Sequence, residues 1–233
     1  ERFPKMTKRV ISLFLCVLCV ISSISFIVSA KENKEYTSDN FLSVADGIIA
    51  WKKADNGSEP DGYLINDKYL ENAGTTPGDW YPIALGRLGI QDNNEGYLAV
   101  IKDRVEERYR ESGRLSAAKA TEWHRIALAV LAMGGDPTNF GTDENGAPIN
   151  LIADGTYDRG KTTPLGRQGI NGWIWGLITL DSMRYAVPDG AYNTRDDIIV
   201  EIISKQLSDG GFALSSDDAD PDITAMAITA LAP

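Results

Sequence analysis

The sequence predicts an all-α fold of about eight helices in two layers, and three observations predict it. Four similar apolar segments recur along the chain, amphipathic segments separate them, and few stretches alternate with the period of two that a strand needs. The recurring segments are GDWYPIALGRLG (78–89), TEWHRIALAVLA (121–132), NGWIWGLITLDSM (171–183) and PDITAMAITALAP (221–233). The first two share an acid, a Trp, two variable positions and Ile-Ala-Leu, with Trp80 and Trp123 43 residues apart. Trp173 and Ile223 follow at further steps of 50. Units of this length stack as supersecondary modules, each covering its neighbour's apolar face.

Taken in order, the first thirty residues read as a targeting segment. Lys5, Lys8 and Arg9 form a basic start, residues 10–28 are largely apolar, and Val28–Ala30 supplies the small residues a signal peptidase needs. Met6 is the expected true start. The alternative is an uncleaved anchor, since the apolar run approaches the roughly 18 residues that can span a bilayer. Residues 31–38 form a polar lead-in, and a helix near 39–53 follows. The repeat at 79–89 comes next. Residues 94–112 put Tyr97, Leu98, Ile101, Val105 and Tyr109 on one stripe with charges elsewhere, which makes a half-wet helix. The segment 117–133 is unbroken in its apolarity from 126 to 133, so that helix is covered all round. A short helix near 147–154 precedes a second dry one at 170–186. Ile198, Ile199, Ile202, Ile203 and Leu207 then stripe a wet-faced helix over 194–207, and 221–232 closes the series. Gly, Pro and Asp punctuate the joints in DNGSEPDGY, NAGTTPGD, DRGKTTPLGRQG and QLSDGGF. Alternation of dry with half-wet helices predicts dry ones inside and amphipathic ones outside, joined as αα-hairpins.

Composition narrows the function. The formal net charge is −10, and residues 1–30 hold four basic residues against one acid, so the remainder is more acidic still. Such a surface repels phosphate backbones, which excludes nucleic acid as a partner. Cys16 and Cys19 both lie in the targeting segment. The rest of the chain therefore has no thiol for a disulfide or a thiolate-bound metal.

Several stretches carry a resemblance. QLSDGGFAL (206–214) resembles the repeat element of squalene and oxidosqualene cyclases, and DPDITA (220–225) resembles the acid-rich stretch of squalene–hopene cyclases. RQGINGWIWGLITLDS (167–182) and GDWYPIALGRLG resemble repeats of exported bacterial proteins with a terpenoid-cyclase or protein-prenyltransferase α/α-toroid domain. The likeness covers residues 39–233. It implies an α/α toroid of paired inner and outer helices, complete at about six pairs, of which this chain supplies about four. Pro233 ends an apolar helix without a capping Gly or a polar tail, so the sequence is expected to stop inside a larger domain.

A toroid does not fix a function, so sites must be weighed one by one. Under the cyclase resemblance, Asp220 takes the first acid position and Asp222 the proton donor, while Ile223 replaces a third acid. The simpler reading makes this acid pair a helix N-cap, favourable to the dipole, with Pro221 suited to the first helical turn. A zinc prenyltransferase site fails for want of cysteine and with His124 as the one histidine. A thioester fails for the same lack of cysteine. The acidic loops 55–62 and 215–222 hold calcium-type oxygen donors without EF-hand spacing, and acidic loops are usually just solvated. Asn56 opens a glycosylation sequon. No metal or cofactor is expected. If the units superpose, Asp79, Trp80, Glu122, Trp123, His124, Asn171, Trp173 and Asp222 gather at one mouth of the inner layer. Acids and tryptophans around a concave face suit a small molecule, a glycan or a peptide, against the bland reading that the tryptophans are core. The expected function is an exported, non-catalytic module that binds such a ligand at the cell surface or outside. The alternatives are a class II cyclase acting through Asp222 and a structural spacer in a larger surface protein.

Overall fold

The computed structural model describes residues 38–160 and 163–233. The expected targeting segment, the expected start at Met6 and residues 31–37 of the expected lead-in lie outside them. Among the described residues every regular element is helical, as the periodicity predicts, and there is no strand beyond one isolated bridge between Thr142 and Pro148. Eight α-helices follow in order: α1 Ser38–Asn56, α2 Asp67–Leu70, α3 Thr76–Leu88, α4 Asn94–Ser112, α5 Thr121–Ala132, α6 Ile170–Asp181, α7 Arg195–Ile203 and α8 Pro221–Leu231. A π-helical turn, Ala153–Tyr157, and a 3-10 turn, Leu165–Gln168, sit between α5 and α6. The chain divides into two compact units between Ile49 and Ala50, and the repeat helices all belong to the second, residues 50–233. No described helix is long and apolar enough to cross a membrane.

The four repeat segments are α3, α5, α6 and α8, and they pack in sequence order, α3 on α5, α5 on α6, α6 on α8. The two in the middle are the driest. Seven of twelve residues are buried in each of α5 and α6, against four of thirteen in α3 and three of eleven in α8. The α3–α5 seam is close enough that a Cβ at Gly86 would collide with the Ala132 carbonyl, so glycine is what lets the two backbones meet. Gly172 serves likewise where the 3-10 turn lies against α6, its Cβ position taken by the Leu165 carbonyl.

The predicted stripes supply the buried residues of the two wet-faced helices, but neither stripe is buried throughout. In α4 these are Tyr97, Ile101, Val105 and Tyr109, with Leu98 only half-buried. Each such aliphatic side chain contributes about 1.5–3 kcal/mol when fully covered. In α7, Ile198 and Ile202 are buried against α6 while Val200 and Ile203 face out. A capping box of Thr194 and Asp197 starts α7.

Boundaries depart from expectation where side chains and turns intervene. Helix α3 begins at Thr76 rather than 79, with Pro77 in its first turn, where a missing N–H costs nothing. Residues 147–150 are not helical. The Phe140 amide donates to the Ile149 carbonyl and the Ile149 amide to the Gly141 carbonyl, which holds this stretch extended. Helix begins only where Asn150 Oδ1 accepts from the Ile152 and Ala153 amides. Helix α6 stops at Asp181 instead of 186 because Arg184 adopts φ +53 and Tyr185 N–H returns to the Leu180 carbonyl. The short α2, capped by Asn66, and the 3-10 turn have no counterpart in the predicted series.

Candidate functional site

Three repeat helices start beside one another, and their first turns line a cavity of about 210 Å³. Helix α3 contributes Thr76 and Trp80, α5 contributes Thr121 and Arg125, and α6 contributes Asn171 and Trp175. Each of these is an i, i+4 pair, the spacing that sets two side chains one above the other on a helix face. Glu122 adds a carboxylate, and Lys119 and Gln168 come from the connections. The Trp80 and Trp175 rings meet with centroids 5.5 Å apart and planes at 56°, forming an aromatic corner. Trp80 is 41% exposed, so this corner is open to solvent. On the polar side the Thr121 hydroxyl donates to Gln168 Oε1 at 3.0 Å, and the buried Oδ1 of Asn171 accepts from nothing.

Arg125 forms the back wall. Its Nε donates to Asp79 Oδ2 at 2.8 Å, and its two terminal nitrogens donate to the two Glu122 oxygens at 2.8 and 3.0 Å. Thr76 Oγ1 and the Gly74 carbonyl take further bonds from the same guanidinium. Asp79 is wholly buried and also accepts from Tyr97 OH and Gly74 N–H, each at 2.7 Å. Burial pushes the Asp79 carboxyl upward against these donors. It likewise opposes charge on Arg125 and Glu122, but their mutual bonds prevail, holding the guanidinium above and the Glu122 carboxyl below the usual range. Thr76, Glu122 and Arg125 also line a second cavity of about 480 Å³, whose other walls include Arg104, Glu107 and Arg108. The Arg104 guanidinium there donates to backbone carbonyls of Ala73 and Glu71.

Of the residues expected at one mouth, Trp80, Glu122 and Asn171 line this cavity and Asp79 braces its wall. The others lie elsewhere. Trp123 is buried in the core, its Nε1 donating to Tyr109 OH at 2.7 Å and its ring covered by the Arg159 guanidinium at 4.4 Å. Tyr109 in turn donates to Asp154 at 2.6 Å. His124 is completely buried beside the π-helical turn, where Nε2 donates to the Gly155 carbonyl at 2.8 Å. Burial pushes its pKa down to about 3, so the ring is neutral and acts as a packed core group. The Trp173 indole lies against Gly166. Asp220 is the N-cap of α8, accepting from the Asp222 and Ile223 amides, and both acids are exposed. Among the described residues no group of three His, Cys, Asp or Glu side chains is placed to hold a metal.

Arg125 and Trp175 escape a reading of the repeats aligned on tryptophan, because that alignment misses the helix register. Trp80 is the fifth residue of its helix, Trp123 the third and Trp173 the fourth. The signal that finds them is the polar residue near the start of each helix, followed four places later by Trp or Arg. No protein-family model, no curated protein and no solved structure matches the chain.

Proposed function

We propose that the chain is an exported, non-catalytic binding module of the α/α-toroid type, which takes a small ligand at the Trp80–Trp175 cavity. One observation carries the reading: three i, i+4 pairs, drawn from three separate repeat helices, converge on one solvent-open cavity with an aromatic corner and a polar wall. A packing role alone gives no reason for an indole left 41% exposed among these polar side chains. The toroid element rests on the sequence repeats and on the ordered row α3–α5–α6–α8. No observation favours the cyclase alternative. A donor acid needs burial and a hydrogen-bonded setting, whereas Asp222 is exposed and Asp220 serves two helix amides.

Thermal unfolding in the presence of oligosaccharides, isoprenoids, cobalamin and short peptides tests the proposal. A ligand at a hundred times its dissociation constant stabilises the fold by about 2.7 kcal/mol. At least one class is expected to raise the melting temperature, and Trp80→Ala is expected to remove that rise. A rise that survives Trp80→Ala, or none with any probe, ends the proposal.

A further inference from the structure

Building on that reading, we infer that the ligand is a carbohydrate of at least two pyranose rings. One ring stacks in the Trp80–Trp175 corner, and the next lies across the Thr76–Glu122–Arg125 wall in the larger cleft. Size comes first. A cavity of about 210 Å³ is smaller than the roughly 300–1,000 Å³ of drug-sized sites, which suits one ring. Chemistry then selects the ring. A pyranose has an apolar C–H face and an edge of hydroxyls that donate and accept, and the cavity repeats that division. The contacting Trp80 and Trp175 indoles supply apolar lining, while Asn171, Gln168, Glu122 and Lys119 supply both donors and acceptors. An isoprenoid would cover those polar groups without pairing them, at a cost for each.

The second ring follows from the shared wall. Thr76, Glu122 and Arg125 border both cavities, which sets the two side by side along one wall. No aromatic ring lines the larger cleft. Arg104 and Arg108 there offer guanidinium N–H groups, and Glu107 offers acceptors, to hydroxyls. Arg104 donates to the backbone carbonyls of Ala73 and Glu71, which fixes its guanidinium at the cleft wall.

Saturation-transfer NMR and tryptophan-fluorescence titration of the intact chain test the inference. The probes are methyl glucopyranoside, methyl mannopyranoside and N-acetylglucosamine, the corresponding disaccharides cellobiose, mannobiose and chitobiose, and farnesol for comparison. At least one disaccharide is expected to bind about tenfold tighter than its own monosaccharide. Saturation should fall on the C–H protons of one ring face. Trp175→Ala and Trp80→Ala are each expected to abolish binding. Arg104→Ala should weaken disaccharide binding more than monosaccharide binding. Equal affinity for the one-ring and two-ring sugars overturns the two-ring inference. Farnesol binding that Trp80→Ala removes, with no sugar bound, overturns the carbohydrate class and leaves the cavity as a binding site. Silence from every probe overturns both.

Discussion

Arg125 and Asp79 meet across the α3–α5 seam at 2.8 Å, with the carboxylate wholly buried and the guanidinium nearly so. Neither charge has water to fall back on, so their hydrogen bonds must replace hydration. The carboxylate takes bonds from Arg125, Tyr97 and Gly74, and the guanidinium gives bonds to Asp79, Glu122, Thr76 and Gly74. Removing one member strands the other, which costs about 3–5 kcal/mol. Asp79→Asn and Arg125→Met are each expected to lose stability of that order in urea unfolding. The double variant should lose clearly less than the two together, because the wholly buried Asp79 carboxylate is no longer left as an orphan charge. Simple additivity would show that the pair is not coupled.

Gly86 makes a second seam prediction. A methyl group there meets the Ala132 carbonyl oxygen and carbon, which are backbone and cannot rotate away. Gly86→Ala should therefore destabilise by about 1–3 kcal/mol despite the better helix propensity of alanine. A neutral or stabilising result in the same unfolding assay would mean that the helices separate at little cost.

His124 makes stability depend on pH in the acid direction. Its folded-state pKa of about 3 lies below the ordinary 6.5, so the unfolded chain takes up the proton first. The contribution is complete above pH 6.5 and is lost as pH falls from there toward 3. The slope approaches about 1.4 kcal/mol per pH unit once the unfolded histidine is fully charged. Between pH 6.5 and 5 this histidine is expected to weaken the fold as pH falls, while Asp79 and Asp154, whose carboxyls burial pushes up, act in the opposite sense. His124→Gln should flatten the profile in that window, and an unchanged slope would assign the acid sensitivity to other groups.

Asp220 and Asp222 are separable by their bonds. Asp220 accepts from two amides at the start of α8, so Asp220→Ala should cost about 1 kcal/mol, the usual value of a lost cap. Asp222→Asn, on an exposed side chain, should change stability by no more than about 0.5 kcal/mol. Loss of equal size at both positions would point to a shared role beyond capping.

Much of the helical pattern is legible in the sequence because it depends on local periodicity. The buried stripe of α4 and the dryness of α5 and α6 come from residue spacing alone. The ends are less legible. Arg184 with a positive φ and the Asn150 side chain set boundaries through geometry that apolar patterning does not encode. The cavity is half legible. Trp80, Glu122 and Asn171 can be picked out because acids, amides and tryptophans stand out near the helix starts. Trp123 and Trp173 look equivalent to Trp80 in sequence, yet a shift of one or two positions in a helix turns a side chain to another face. Arg125 can be found by its place four residues after Thr121, but its pairing with Asp79, 46 positions earlier, leaves no mark in local spacing.

Because one guanidinium is both the clasp of the α3–α5 seam and a wall of two cavities, loss of that clasp would take the wall of the proposed site with it. A molecule whose seam has slipped is expected to keep its helices and its far-ultraviolet signature while the proposed site is lost. A test of the proposed site therefore needs a stoichiometric titration beside ellipticity, which reports the helices alone.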